Sequence, residues 1–93
     1  QASHLVIVTA VDEVAIGFGT PRQQGLSRVD AAAMREYLEA GEFPPGSMGP
    51  KVEACLRFLE LGGTTAVITS LAALRAALDG RAGTHIHANR QES

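Results

Sequence analysis

The sequence predicts an α/β fold in which helices cover both faces of a mainly parallel sheet. Two continuous apolar runs, at residues 5–8 and 66–69, are typical of strands buried on both faces. Segments with the apolar spacing of helices lie between these runs. Because strands and helices alternate along the chain, right-handed crossovers between parallel strands are favoured.

Four strands are expected. Residues 5–8 and 66–69 form the buried pair, and residues 14–18 form a weaker strand after the first of them. Residues 83–87 form a short final strand. The polar stretch around Gly25 is predicted to be a loop.

Two helices are expected between the buried strands. Asp30 is a suitable N-cap for a helix over residues 31–40, and Gly41 follows in the position where glycine ends helices. Pro50 is suited to the first turn of the second helix. The apolar face of that helix consists of Val52, Cys55, Leu56 and Leu59.

A third helix is expected after the second buried strand. Ser70 can cap it, and Leu71, Leu74 and Leu78 form its apolar positions. Gly80 then ends the helix.

Composition excludes several classes of protein. The chain has 93 residues, enough for one small domain, with a globular balance of 45% hydrophobic and 19% charged residues. Its formal net charge of −2 offers no basic surface to nucleic acid. No apolar run approaches the ~20 residues of a membrane span. We therefore expect neither nucleic acid nor a membrane as partner.

The single cysteine, Cys55, excludes an internal disulfide, which favours a reducing, cytoplasmic location. It lies in an apolar helical pattern. We therefore interpret it as a buried structural thiol rather than a nucleophile.

The most unusual local feature is the loop at residues 46–51. Its two glycines let the backbone approach a ligand, and it opens a helix whose first amides and dipole favour an anion. Lys51 lies where a cation destabilises a helix by about 0.3–1 kcal/mol, an effect that a bound anion reverses. The sequence allows either an anion site or a plain loop-to-helix junction, and the P-loop spacing is absent.

Polar residues also follow both buried strands. Thr9 and Asp12 come after the first strand, and Thr69 and Ser70 after the second. Ligands in open α/β sheets bind at the carboxyl ends of strands. Each pair also has a structural interpretation, either closing a turn or capping a helix.

His85 and His87 alternate on the last predicted strand, with no acidic or cysteine partner nearby in sequence. A metal site needs more ligands than two histidines. We interpret both as exposed histidines of an edge strand, and no metal ligand is predicted.

In the loop before the second helix and in the first strand and its turn, the chain resembles the carbamate kinases. The run GEFPPGSMGPKVEACLRF, at residues 41–58, is very similar to a signature of that family. The run HLVIVTAVDEV, at residues 4–14, is similar to the family's nucleotide-site strand and turn. The shorter segments GFGTP, AVITSL and AGTHI also match, in the family's order, so the resemblance covers nearly the whole chain.

The resemblance implies that residues 1–93 are the C-terminal, nucleotide-binding lobe of an amino acid kinase fold. It further implies phosphoryl transfer between ATP and carbamate with Mg²⁺, the reverse direction making ATP from carbamoyl phosphate and ADP, in an enzyme that forms a homodimer. Lys51 matches the lysine that contacts the transferring phosphate. The matching nucleotide-site positions are Thr9, Ala10, Val11, Asp12 and Val14, and then Phe43, Pro44, Pro45, Gly46, Ser47 and Met48.

Departures from the family pattern limit what the chain is expected to do alone. Related kinases of this fold often carry Asp where Ala10 stands and Gly where Glu13 stands. The family's glycine-rich phosphate loop and carbamate site have no match in this sequence. We therefore expect part of a longer enzyme, inactive by itself. The alternatives are another amino acid kinase, such as one acting on acetylglutamate, and a non-catalytic nucleotide-binding or interaction module.

Overall fold

The structure, a computed structural model, describes residues 3–17 and 19–88. Six strands and three helices occur in these residues. Their order is β1 (His4–Thr9), β2 (Ala15–Ile16), β3 (Gln24–Gly25), β4 (Arg28–Asp30), α1 (Ala31–Glu39), α2 (Met48–Glu60), β5 (Thr65–Ser70), α3 (Leu74–Leu78) and β6 (Thr84–His87). None of the helices in these residues has the length and hydrophobicity needed to cross a bilayer.

The predicted α/β fold with a mainly parallel sheet is confirmed. The main sheet has the strand order β1-β5-β6-β4, in which β1 pairs with β5 and β4 with β6 in parallel. Only the β5–β6 pair is antiparallel within this sheet. β6 runs back from the edge where β5 ends, as the antiparallel pairing of these two strands requires.

The core lies between one face of the sheet and the pair α1–α2. The predicted apolar face of α2 is confirmed, since its four positions are all buried. Met34 of α1 is fully buried against the same cluster, together with Ile68 of β5 and Ile86 of β6. Burial also raises the pKa of the Cys55 thiol to about 12, so it stays protonated at neutral pH. The burial of Cys55 and its raised pKa both agree with the interpretation of this residue as a structural thiol.

The predicted helix boundaries are confirmed for α1. The side chain of Asp30 accepts a hydrogen bond from the Ala33 amide at 2.8 Å. Gly41 takes a φ of +83°, the left-handed conformation in which glycine ends a helix.

The third helix is shorter than predicted. It begins at Leu74, and Leu71 and Leu78 are 74% and 63% exposed rather than buried. Ala77 is its buried residue, and it lies close to Thr69 and Gly83 on the side of the sheet opposite Ile68. Helices therefore occupy both faces of the sheet, but the apolar positions of α3 do not all face it.

The prediction that residues 5–8 are covered on both faces is wrong for the described residues. Burial alternates along β1, with Val6 37% and Val8 46% exposed, whereas every residue of β5 is buried. β1 is an edge strand, and α2 is the helix that packs against it. A continuous apolar run cannot distinguish a central strand from an edge strand with one uncovered face.

The region between residues 14 and 30 contains more strand than predicted. The second strand is limited to β2, and the stretch around Gly25 forms β3, which pairs with β2 in an antiparallel hairpin. Phe18, the predicted end of the second strand, lies outside the described residues. β4 was also missed because a strand with one apolar residue, Val29, has no recognisable alternation.

The prediction that His85 and His87 are exposed residues of an edge strand is wrong. β6 pairs with β5 on one side and with β4 on the other. His85 and His87 are only partly exposed, and the ring of His85 lies 2.9 Å from the Ala82 carbonyl oxygen. Their surroundings are therefore those of an interior strand.

Candidate functional site

The candidate site lies at the edge of the sheet where β1 and β5 both end. These strands are parallel and adjacent, and their last residues, Thr9 and Ser70, are partners in the register. Parallel strands bring their carboxyl ends to the same edge. The two polar segments that follow the buried strands in the sequence are therefore neighbours in space.

Lys51 reaches this edge from α2. Its Nζ atom donates a hydrogen bond to Thr9 Oγ1 at 2.7 Å. The lysine is the fourth residue of α2 and is half-buried, so its ammonium group is held against the end of β1. The structure thus brings together the cation at residue 51 and the turn after β1, two features predicted separately from the sequence.

Asp12 is held at the same edge by Ser70. The Ser70 hydroxyl donates to Asp12 Oδ1 and accepts from the Ala73 amide at 3.1 Å. The helix-cap interpretation of Ser70 is therefore only part of its role. The hydroxyl caps the turn before α3 and also fixes a carboxylate in the turn after β1.

An open cavity of about 430 Å³ lies beside this edge. Its volume is within the range of small-molecule sites. Three segments line it. The turn after β1 contributes Val11, Asp12 and Glu13. The β2–β3 hairpin contributes Ala15, Gln23 and Gly25. The segment before α2 and its first turn contribute Glu42, Phe43, Pro44, Ser47 and Met48.

The hairpin wall of the cavity is anchored to the main sheet by Thr84. Its fully buried Oγ1 accepts from the Val14 amide at 2.7 Å and donates to the Leu26 carbonyl at 2.5 Å. A second contact links the hairpin to the α1–α2 connection, because the Gly17 amide donates to Glu42 Oε1 at 2.8 Å. The positions of two cavity walls therefore depend on side chains outside the predicted site.

The backbone before α2 is folded around one carbonyl. The Pro44 oxygen accepts from the amides of Ser47 at 3.2 Å and Gly49 at 2.8 Å. Gly49 is buried, and a Cβ atom there would lie 3.1 Å from the same oxygen. Since Pro50 has no N–H, the first turn of α2 offers an anion fewer amides than the sequence suggested. The cationic group of Lys51 is the stronger feature for binding an anion at this place.

Some of the predicted nucleotide-site residues line the cavity, and the others lie outside its lining. Six of them line the cavity, namely Val11, Asp12, Phe43, Pro44, Ser47 and Met48. Thr9 lies at the sheet edge in contact with Lys51. Ala10 and Gly46 are exposed, Pro45 lies on a different surface next to Pro50, and Val14 belongs to the core.

Several residues of the site were missed by sequence reasoning. Ala15, Gln23 and Gly25 belong to the hairpin, and Glu42 lies within the resembling run at residues 41–58 but was not predicted as a site residue. The hairpin strands have two residues each, too few for a periodic signal. The glycine at position 25 was the available indication, because a Cβ atom there would overlap the Glu13 carboxylate, and glycine within a strand often marks such a close approach.

Among the described residues, no group of three or more His, Cys, Asp or Glu side chains is arranged to hold a metal ion. Asp12, Glu13 and Glu42 line the cavity without forming such a group. These carboxylates can accept hydrogen bonds from hydroxyl or amino groups of a ligand.

Comparison with known proteins identifies relatives over nearly all of the chain. A family model described as the amino acid kinase family matches residues 1–70. The carbamate kinase-like protein YahI of Escherichia coli is 55% identical over 86 residues, which are 92% of this chain and 27% of that protein. Carbamate kinase 3 of Staphylococcus aureus is 49% identical over 87 residues, 92% of this chain and 28% of that protein.

Solved structures give the same result. A carbamate kinase from Giardia lamblia bound to AMP-PNP matches with a TM-score of 0.89 and 33% identity, covering 94% of this chain and 28% of that one. A second structure of the Giardia enzyme matches with a TM-score of 0.85 and 32% identity, covering 94% and 30%. The chain therefore spans between a quarter and a third of the length of these relatives.

Proposed function

This chain belongs to the amino acid kinase family, and we propose that it forms the ATP- and ADP-binding portion of a carbamate kinase. The reaction is phosphoryl transfer between ATP and carbamate, and its reverse makes ATP from carbamoyl phosphate and ADP. We call the longer enzyme that includes this portion the complete kinase. The similarity to carbamate kinases over 92% of the chain supports this choice within the family.

The observation that carries the proposal is the position of Lys51 at the carboxyl ends of β1 and β5, where the turn that follows β1 lines the cavity. Nucleotides bind at this edge in other open α/β sheets. A base placed against the apolar lining of the cavity leaves its phosphates free to extend toward the sheet edge. The Lys51 ammonium, bonded to Thr9 at 2.7 Å, is the cation available there.

The chemistry required of this portion is mainly positioning and charge stabilisation. Phosphoryl transfer spreads negative charge over the oxygens of the transferring group. A cation held in place before the reaction stabilises that charge without reorganising. Lys51 has this role in the proposal, and Thr9 orients it.

Mg²⁺ accompanies the nucleotide in the proposal. Magnesium in kinases is typically held by substrate phosphates and one or two carboxylates, and it keeps several waters. Asp12 is the carboxylate assigned to this role, since Ser70 fixes it at the sheet edge. When bound, the ion neutralises phosphate charge that Lys51 alone does not balance.

The test is an assay of ATP formation from ADP, Mg²⁺ and carbamoyl phosphate. We expect the complete kinase to form ATP and to leave N-acetylglutamate unphosphorylated when given ATP. We expect the 93-residue chain alone to form none, since the proposal assigns it the nucleotide site but no carbamate site. Phosphorylation of N-acetylglutamate would instead favour an amino acid kinase that acts on acetylglutamate. Nucleotide binding without any transfer by the complete kinase would favour a non-catalytic module, and turnover by the purified chain would refute its dependence on the rest of the enzyme.

A further inference from the structure

Ser70 makes two hydrogen bonds whose directions are fixed. It is the last residue of β5, is only 7% exposed, and accepts from the Ala73 amide at 3.1 Å. A hydroxyl has one proton to donate. In Ser70 that proton is directed at Asp12 Oδ1, a residue 58 positions earlier in the chain.

Asp12 needs such a partner because its own position does not hold it. It lies in the exposed turn after β1. An exposed carboxylate samples several side-chain rotamers and loses that freedom when it binds a ligand. The hydrogen bond from a buried, capped hydroxyl restricts Asp12 before any ligand arrives, and leaves its second oxygen available.

The two charges at the sheet edge are held apart by separate hydroxyl groups. Thr9 holds Lys51, whereas Ser70 holds Asp12, and Thr9 and Ser70 are partners in the parallel register. Within residues 3–17 and 19–88, Lys51 and Asp12 form no ion pair with each other. A direct Lys51–Asp12 pair would neutralise both groups, so their separation keeps each available to a ligand.

We propose that Ser70 is a positioning residue that orients Asp12 toward the donor groups, or the accompanying Mg²⁺, of the bound nucleotide. This inference rests on the proposed function, because it assumes that the ligand is a nucleotide. Ser70 touches neither nucleotide nor metal in this account. It acts through Asp12, and its effect therefore disappears when the carboxylate is removed.

The test compares Ser70→Ala with Ser70→Thr and Asp12→Ala in the complete kinase. We expect Ser70→Ala to raise the KM for MgADP by about tenfold, the effect of one charge-assisted hydrogen bond. The change in kcat should be smaller. Ser70→Thr retains the hydroxyl and should restore most of the affinity. In the Asp12→Ala background, Ser70→Ala should change KM by less than about twofold, since coupled residues are not additive.

Thr69→Val is the matched control. It removes a hydroxyl from the adjacent position of β5, whose buried Oγ1 has no hydrogen-bond partner among the described residues. The control should leave KM unchanged. Melting temperature separately reports loss of the cap at Ala73, which lowers stability without requiring a change in KM.

The outcomes distinguish this inference from the function on which it rests. A wild-type complete kinase that binds no nucleotide would overturn both. A wild-type enzyme that binds MgADP, with Ser70→Ala at the same KM or with an equal effect in the Asp12→Ala background, would overturn the positioning role alone.

Discussion

Lys51→Ala is expected to lower the kcat of the complete kinase by about 10²–10³, or about 2.7–4 kcal/mol of transition-state stabilisation. The KM for nucleotide should rise less, because a contact that strengthens as charge develops acts on the transition state more than on the bound substrate. The fold should persist, since α2 loses a cation that is unfavourable near a helix N-terminus. Steady-state kinetics and melting temperature on the same preparation measure both effects.

Arg57→Ala is the control for Lys51→Ala. Arg57 is an exposed cation on the same helix. Its removal should leave kcat and KM near the wild-type values, because it is on the solvent side of α2. A Lys51→Ala enzyme within about threefold of the wild-type kcat, far short of the loss of one such donor, would remove Lys51 from the catalytic role.

Thr84→Val is expected to lower the free energy of unfolding by about 2–4 kcal/mol, a large loss of stability. Its hydroxyl is the partner of both the Val14 amide and the Leu26 carbonyl, and valine would leave those groups without it. Each unsatisfied buried group costs about 1–3 kcal/mol. Because these bonds anchor the hairpin, nucleotide affinity should fall as well.

Thr69→Val again provides the comparison, since the Thr69 hydroxyl is buried without a partner among the described residues. The two substitutions make the same chemical change in neighbouring strands. Thermal or urea unfolding should show a large loss for Thr84→Val and none, or a small gain, for Thr69→Val. Equal stabilities for the two variants would show that the hairpin does not depend on Thr84.

The sequence was sufficient for the elements with strong periodicity. The apolar face of α2, the burial of β5 and the capping of α1 by Asp30 follow from spacing and side-chain chemistry, and all are confirmed. The hairpin and β4 could not be predicted in the same way. Strands of two or three residues are specified by tertiary hydrogen bonds, such as those of Thr84, and these carry no local signal.

The candidate site was predictable as segments but not as an arrangement. The turn after β1 and the loop before α2 were both selected from residue types, but their contact through Lys51 and Thr9 spans 42 positions of sequence. The hydrogen bond between Ser70 and Asp12 could not be predicted from the sequence for a different reason. A serine after a strand and before a helix already has a sufficient local explanation as a cap, so nothing in the sequence indicates a second partner.

Hydrogen exchange of the complete kinase with and without Mg²⁺–AMP-PNP tests the location of the nucleotide most directly. We expect slower exchange in two segments, residues 10–13 and 42–48, which both contribute to the lining of the cavity. The other edge of the sheet, where β1 begins at His4 and β5 at Thr65, should be unchanged. Slower exchange at that far edge, with residues 10–13 and 42–48 unaffected, would contradict a nucleotide site at the carboxyl ends of β1 and β5.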